Sequence, residues 1–390
     1  MKQQGHEVTI FTGKPNYPDG KIYPGYTPSG VQEELYQEGI VIHRVPLIPR
    51  KSGSARHLIC NYASFVWSGI KHGFAFARKK QFDTILVLGL SPVTSAIPGI
   101  VLKWLTRSHL TIWVQDLWPD SIKTTGYVKN RFVLACVGWM VRAIYFFADT
   151  LLVQSQAFVD PVASLARRDN VIYYPNSALD MHYQPHAMPA LSQELAQTLD
   201  DYFCVVFAGN IGTAQAVETI VFAAEMLRDL AHVKVVLVGS GSMLEWVSQR
   251  IQEAALTNLV LAGRYPAEVM PALFSKARAL MVTLNDERIY SLTVPCKIQA
   301  YLSAGKPIVA SLNGEGARVL EETGAAFISA AEDATALAAS IRRLQQLTPE
   351  VREAMGESGR RYFLTHFEMT HQATRLTELL QQEITKGKYA

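Results

Sequence analysis

Three polar side chains in the second half of the chain could together bind an anion such as a diphosphate. Asn210 lies in FAGNIGTAQ, Arg264 in LAGRYP, and Lys297 in VPCKIQAYLSAGKPIVAS. Lys297 falls in the first turn of a predicted apolar helix, where the helix dipole disfavours a cation. Either its ammonium reaches solvent along the aliphatic stem, or it joins the free N–H groups of the helix start in binding a phosphate.

Glycines accompany these side chains just after predicted strands. Gly209, Gly212 and Gly239 would allow the backbone to approach a diphosphate closely, although ordinary strand-to-helix turns would also explain them. For Gly239 the ordinary loop is the favoured interpretation. Arg264 suits phosphate because its planar guanidinium donates in pairs; the alternative is a solvated loop arginine.

Short β-branched runs alternate with helical patterns, which is typical of parallel sheets covered by helices. The carboxyl ends of parallel strands meet at one edge, so Asn210, Arg264 and Lys297 are predicted to share an edge. The predicted strands cover residues 6–12, 40–45, 84–89, 110–115, 150–155 and 170–175 in the first half, and 202–209, 233–239, 258–263, 279–284, 307–311 and 325–329 in the second.

A carboxylate follows a predicted strand in the first half. Asp116, in QDLWPDS, could act as a general base, orient another group or accept a hydrogen bond from a sugar hydroxyl.

Length and composition indicate two folded domains. The chain has 390 residues, of which 49% are hydrophobic and 18% charged. We expect domains over 1–178 and 179–365, a linker within 175–192, and a helical tail over 366–390 that could cross back to the first domain. A doubly wound domain normally begins with a strand and a glycine turn, so we expect the first strand to be missing before MKQQGHEVTI.

Charge separates the two halves and suggests an anionic surface as a partner. Residues 1–180 hold 19 Lys and Arg against 12 Asp and Glu, whereas residues 181–390 hold 18 against 22.

Residues 56–81 mix aromatic with basic side chains, so they could lie on an anionic membrane or form the buried face of a surface helix. The apolar run from Arg131 contains Arg142 and Asp149, and is predicted to be a buried helix followed by a strand.

These blocks, together with GKPNYPDGKIYPGY, YYPNS and GEGARVLEETGA, resemble family-four glycosyltransferases of the GT-B fold. The likeness extends to the O-antigen and capsule branch that includes N-acetyl-L-fucosamine transferases. It implies two Rossmann-like doubly wound α/β domains facing across a cleft, with the second holding the sugar nucleotide. By resemblance, Lys297 is the counter-charge of the donor diphosphate.

The sequence departs from the family at several site positions. A glutamate pair that many members carry falls on Leu292 and Ala300, and the Arg and Lys of the phosphate loop fall on Asn210 and Gln215. The carboxylate that would bind the donor ribose is then either Glu315 or Glu321. Asp116, Lys297 and Arg264 are then the predicted catalytic residues, and the predicted donor-binding residues are Gly209, Asn210, Gly212, Gly239, Arg264, Lys297 and Glu315.

The resemblance implies a retaining transferase acting on a UDP-sugar donor and a polyprenyl-diphosphate-linked saccharide acceptor. Such an enzyme would work in the cytoplasm, peripherally at the inner membrane face, with no metal cofactor and no nucleic-acid partner. A UDP-sugar 2-epimerase of the same fold and a truncated, inactive binding subunit are the alternatives.

Overall fold

The structure is a computed structural model that describes residues 1–17, 19–51, 54–78, 80–124, 130–182 and 190–389. It divides into two compact units. Unit 1 comprises Met1–Tyr174 and Ala373–Ala390, and unit 2 comprises Pro175–Gln372. The division falls four residues before the predicted boundary, and residues 183–189 of the predicted linker lie outside the described residues.

Unit 2 contains a six-stranded parallel sheet between helices on both faces. Its strands are β8 (Phe203–Asn210), β9 (Val233–Ser240), β10 (Leu259–Gly263), β11 (Ala279–Thr283), β12 (Ile308–Ser311) and β13 (Ala326–Ser329). Its helices are α6 (Gln193–Asp201), α7 (Val217–Met226), α8 (Leu244–Glu253), α9 (Met270–Lys276), α10 (Arg288–Ser291), α11 (Cys296–Ser303), α12 (Glu315–Thr323), α13 (Ala334–Gln346) and α14 (Pro349–His366).

The sheet order is β10-β9-β8-β11-β12-β13, the doubly wound arrangement expected from the sequence. Alternating residues of β8 face two separate cores: Cys204, Val206 and Ala208 pack into one, and Val205 and Phe207 into the other. Strands buried on both faces read as continuous apolar runs, which is why the sequence located them closely.

Unit 1 is built on two sheets. Its strands are β1 (Thr9–Gly13), β2 (Gln32–Tyr36), β3 (Ile40–Val45), β4 (Thr84–Gly89), β5 (His109–Val114), β6 (Thr150–Val153) and β7 (Val171–Tyr173). Its helices are α1 (Ala55–Ala77), α2 (Ile97–Thr106), α3 (Asp120–Thr124), α4 (Arg131–Phe147) and α5 (Val159–Ala166).

The seven strands of unit 1 form a three-stranded sheet, β1-β3-β2, and a four-stranded parallel sheet, β4-β5-β6-β7. Among the described residues, β1 and β4 therefore each pair on one side only. The prediction missed β2, an antiparallel edge strand. Its sequence, QEELY, is polar and lacks the apolar signal on which the strand prediction depended.

The final helix, α15 (Met369–Tyr389), begins in unit 2 and belongs to unit 1 from Ala373 onward. Within unit 1 its Leu376 and Leu380 pack with Leu152 and Tyr174. The chain also contains short 3-10 helices at Lys2–Gln4, Gln37–Gly39, Val93–Ala96, Gln156–Phe158, Thr213–Gln215 and Ala267–Val269.

One prediction about unit 1 is partly wrong. The run from Arg131 does form a helix, α4, followed by strand β6, but the helix is not buried. Val141, Ile144 and Tyr145 are buried, whereas Phe132 and Trp139 on the opposite face are exposed. None of the described helices is both long and apolar enough to cross a bilayer.

Candidate functional site

The order of the sheet in unit 2 reverses between β8 and β11, and this point marks the candidate site. From β8 the chain proceeds outward through β9 and β10, whereas β11 pairs on the other side of β8. Doubly wound sheets bind ligands outside the carboxyl ends of the strands at such a switch point. The residues that follow β8 and β11 therefore occupy the expected position for a ligand.

Lys297, in the first turn of α11, lies at the end of β8. Its Nζ donates a hydrogen bond to Oε1 of Gln215 and lies 3.7 Å from the centre of the Phe207 ring. Burial lowers the pKa of Lys297 to about 7. Among the described residues its ammonium makes no ion pair, so an anionic ligand would supply a charge that the protein does not.

Gly209 gives Lys297 the space that it occupies. Its φ of 144° lies in a region that favours glycine, and a Cβ atom there would come within 2.6 Å of Lys297 Cε. The structure thus brings together two residues that the sequence analysis placed at the same edge.

Tyr301 fixes α11 to β8, and the sequence analysis did not identify it. Its fully buried phenol accepts a hydrogen bond from the Ala208 N–H at 3.0 Å and lies 3.3 Å from the Ala208 carbonyl oxygen. Tyr301 lies one helical turn after Lys297, and residues four apart lie on the same helix face. The only signal in the sequence was that spacing.

The turn containing Gln215 is held against the end of β11. The Gln215 carbonyl accepts from the Thr283 hydroxyl, and the Ala214 carbonyl accepts from the Asn285 N–H at 3.2 Å. Gln215, which the resemblance aligned with the phosphate-loop lysine, thus contacts Lys297 through its amide oxygen.

The remaining predicted glycines pack two loops against each other. A Cβ on Gly239 would lie 1.8 Å from the Gly209 carbonyl oxygen, and a Cβ on Gly212 would lie 2.6 Å from Asn210 Nδ2. These contacts alone explain why both positions are glycine, and no bound ligand is needed to account for them. Their part in donor binding, like that of Asn210, stays a prediction.

Glu315 lies in the first turn of α12, close to the start of α11. A Cβ on the neighbouring Gly316 would lie 3.3 Å from Pro295 Cδ, which shows how closely the two helix starts approach. The Glu315 carboxylate is buried and pairs with Arg318 through both oxygens, at 2.8 and 3.1 Å. Its prediction as the ribose ligand is untested, and this ion pair would have to share the carboxylate with the ribose.

Arg264 stands apart from this cluster. It follows β10, the edge strand, and its exposed side chain makes no hydrogen bond or ion pair with the described residues. Arg264 and Lys297 share the carboxyl edge of the sheet, but β9 lies between β10 and β8. The structure therefore does not bring these two cations into contact.

In unit 1, Asp116 connects the loops that follow β4 and β5. Its Oδ2 accepts hydrogen bonds from the Ser91 N–H at 3.0 Å and the Ser91 hydroxyl at 2.7 Å, and Trp118 Nε1 donates to that hydroxyl at 2.9 Å. Burial, with a smaller contribution from Asp116, raises the pKa of Tyr145. The carboxylate is held in place as a hydrogen-bond acceptor.

Buried polar atoms near Asp116 have no hydrogen-bond partner among the described residues. Gln115 and Gln154 directly follow Val114 and Val153, which pair in register on β5 and β6. The hydroxyls of Thr94 and Ser95, which follow β4, are also unpaired. Buried polar groups normally form hydrogen bonds. These side chains could therefore hydrogen-bond to a ligand at this edge of the sheet, which the sequence analysis did not predict.

The described residues contain no group of three His, Cys, Asp or Glu side chains arranged to hold a metal ion. The expectation of transfer without a metal stays a prediction.

Two family models match consecutive parts of the chain. The model described as "Glycosyl transferase 4-like domain" matches residues 1–177, and "Glycosyl transferases group 1" matches residues 203–346. A protein of Escherichia coli K12 described as a colanic acid biosynthesis glycosyl transferase, WcaI, is 24% identical over 354 residues, which cover 88% of this chain and 85% of that protein.

Solved structures share the fold. Sucrose-phosphate synthase from Thermosynechococcus elongatus superposes with a TM-score of 0.73 at 18% identity, over 99% of this chain and 91% of the other. Anabaena HepE in complex with UDP-glucose gives a TM-score of 0.67 at 13% identity, over 97% and 100% of the two chains.

Proposed function

The chain belongs to the family-four glycosyltransferases of the GT-B fold, and from this premise we propose that it is a retaining enzyme that transfers a sugar from a UDP-sugar to a polyprenyl-diphosphate-linked saccharide. N-acetyl-L-fucosamine is the candidate sugar by resemblance. UDP as the nucleotide is supported by the complexes of HepE with UDP and with UDP-glucose. A role in polysaccharide synthesis is supported by the colanic acid relative.

The observation that carries this proposal is the partly buried ammonium of Lys297 at the switch point of the sheet, which hydrogen-bonds to Gln215 but makes no ion pair with the described residues. Among the described residues, no carboxylate forms an ion pair with this cation to compensate for its burial. A diphosphate would supply the missing negative charge, and the N–H groups at the start of α11 would add donors.

This arrangement suits a reaction whose leaving group is a diphosphate. When the bond between the anomeric carbon and its oxygen breaks, negative charge accumulates on UDP, and a fixed cation stabilises that charge more in the transition state than in the ground state. Lys297 is the proposed principal residue. Arg264, at the same sheet edge, is proposed to reach the donor as a second cation.

The acceptor would bind to unit 1. Asp116 is proposed to orient the acceptor hydroxyl or accept its proton, and the unpaired polar atoms of Gln115 and Gln154 would accommodate a ligand rich in hydroxyl groups. In the reaction this hydroxyl oxygen bonds to the anomeric carbon, UDP leaves and one proton is released. A lipid-linked acceptor would place the enzyme at the inner face of the cytoplasmic membrane.

Calorimetric titration with UDP tests the donor site. We expect binding by the parent chain and marked weakening in Lys297→Met and Arg264→Ala. Lys306→Met is the matched control, because burial also lowers the pKa of Lys306 but this residue precedes β12 and so lies at the opposite edge of the sheet. A parent chain that does not bind UDP, or equal loss in all three variants, would contradict the proposal.

Product analysis separates transfer from epimerisation. A transferase consumes the UDP-sugar only when a lipid-linked acceptor is present and releases UDP. A UDP-sugar 2-epimerase converts the donor without acceptor, so acceptor-independent conversion would refute the transferase proposal.

A further inference from the structure

Helix α4 exposes an apolar face to solvent along its whole length. Phe132, Trp139 and Phe146 are spaced seven residues apart, so they lie on one face, and they are 76%, 67% and 70% exposed. Ala135, Cys136 and Ala143 fall on the same face and are also exposed. Soluble proteins rarely leave such a continuous apolar stripe uncovered.

The two helices beside α4 extend this exposed surface. Helix α2 packs against both α4 and α1, and Trp104 of α2 meets Phe147 of α4 edge-on at 5.2 Å. Trp104 is 58% exposed, and Trp67 on α1 is 72% exposed. We call the outer faces of α1, α2 and α4, with these exposed aromatics, the aromatic face of unit 1.

The charges on these helices are of one sign. Helices α1, α2 and α4 contain no aspartate or glutamate. Exposed basic residues lie within them or at their ends: Arg56, Lys71, Arg78, Arg107 and Arg131. The guanidinium of Arg142 also lies 5.0 Å from the centre of the Trp139 ring.

We infer that the aromatic face of unit 1 docks on an anionic phospholipid surface. Aromatic rings prefer the boundary between lipid headgroups and acyl chains, and basic side chains beside them attract anionic headgroups. Apolar stripes and basic residues spread over three neighbouring helices without any acid fit a flat, negatively charged surface.

This inference goes beyond the proposed transfer reaction, although docking would bring the enzyme to a lipid-linked acceptor. The sequence analysis left residues 56–81 either on an anionic membrane or as the buried face of a surface helix, and it predicted that α4 is buried. The structure favours α4 as the inserting element, with α1 and α2 beside it.

Flotation of the full chain with vesicles tests the inference. We expect the chain to float with phosphatidylglycerol-containing vesicles and not with pure phosphatidylcholine vesicles. Salt at about 1 M, where screening acts within about 3 Å, should weaken binding because part of the attraction is electrostatic. We expect the variant Trp139→Ser/Phe146→Ser to bind anionic vesicles at least about tenfold more weakly.

Phe222→Ser is the matched control, because Phe222 is a 41% exposed aromatic on helix α7 of unit 2. It should float like the parent chain. UDP binding by all variants shows that they are folded, and it separates failure of docking from failure of the proposed donor site.

Three outcomes would overturn the inference. The parent chain could fail to float with anionic vesicles, or the double variant could float as well as the parent. Alternatively, light scattering could show a lipid-free dimer that the double variant abolishes, in which case the aromatic face is an interface between two copies of the chain.

Discussion

The low pKa of Lys297 predicts that donor binding depends on pH. Burial takes its pKa from 10.5 to about 7, which corresponds to roughly 5 kcal/mol of unfavourable charge burial at about 1.4 kcal/mol per tenfold change. A bound diphosphate would raise this pKa again, because it supplies an opposite charge. Binding therefore takes up a proton at pH values between about 7 and the raised pKa of Lys297 in the complex.

The consequence can be measured with UDP-glucose, whose diphosphate does not titrate near neutral pH. Its dissociation constant should be nearly constant below about pH 7 and increase by up to about tenfold for each pH unit above it. In Lys297→Met this dependence should vanish. At about pH 6 the variant should bind roughly 10- to 150-fold more weakly, as expected for the loss of a charged hydrogen bond.

The pH dependence of the free energy of unfolding provides a second readout. Stability should increase with pH over the range in which donor binding weakens. The unfolded chain keeps the Lys297 proton up to about pH 10.5 and the folded protein releases it above about pH 7. The contribution of this residue to the free energy of unfolding therefore increases with pH between these values. Lys297→Met removes a buried cation without an ion-pair partner among the described residues, so at acidic pH it should not lower that free energy.

Two results would refute this reasoning. One is a dissociation constant for the parent chain that does not change between about pH 6 and about pH 9. The other is a Lys306→Met control that loses the pH dependence together with Lys297→Met, because a residue at the amino edge of the sheet should not touch the donor.

Three further predictions concern other groups. Tyr301→Phe removes the bonds to Ala208 and should lower the free energy of unfolding by about 1–3 kcal/mol in denaturant titrations; an unchanged midpoint would show that the phenol does not fix α11. Asp180 pairs with Arg360 at 2.8 and 2.9 Å, which lowers the pKa of Asp180 to about 2. Its stabilisation is complete above the unfolded pKa of about 4 and is lost as the pH falls toward 2, so Asp180→Asn should destabilise the protein at neutral pH and show a smaller deficit in acid unfolding experiments; an equal deficit at both pH values would contradict this origin. Asp116→Asn should reduce the turnover number in transfer assays while leaving UDP affinity unchanged, and a change in UDP affinity alone would exclude an acceptor-side role.

The sequence predicted the parallel strands closely, because their signal is local. Strands β3 and β4 have the predicted boundaries, and β8 is displaced by one residue. Strands of a parallel sheet are rich in β-branched and other apolar residues, so local composition identifies them. Strand β2 gave no such signal because its polar side chains face solvent at a sheet edge.

The sequence also predicted which residues would lie at the carboxyl edge of the second sheet. That inference needs only the direction of the strands, and it placed Gly209 and Lys297 together correctly. It could not show that Gln215 would contact Lys297, since the two residues are 82 positions apart. It also could not show that the Glu315 carboxylate would form an ion pair with Arg318.

The sequence by itself therefore determined the α/β class, the strand positions, the family and the edge of the sheet that carries the candidate site. Only the tertiary structure decided that Lys297 is partly buried without an ion-pair partner among the described residues, that Tyr301 holds its helix, and that α4 exposes Phe132, Trp139 and Phe146. The physical reason is that hydrogen-bonded elements follow from the local pattern of residues. Burial and pairing, by contrast, depend on which distant segments pack against each side chain, and an apolar helix has the same sequence pattern whether protein or solvent covers it.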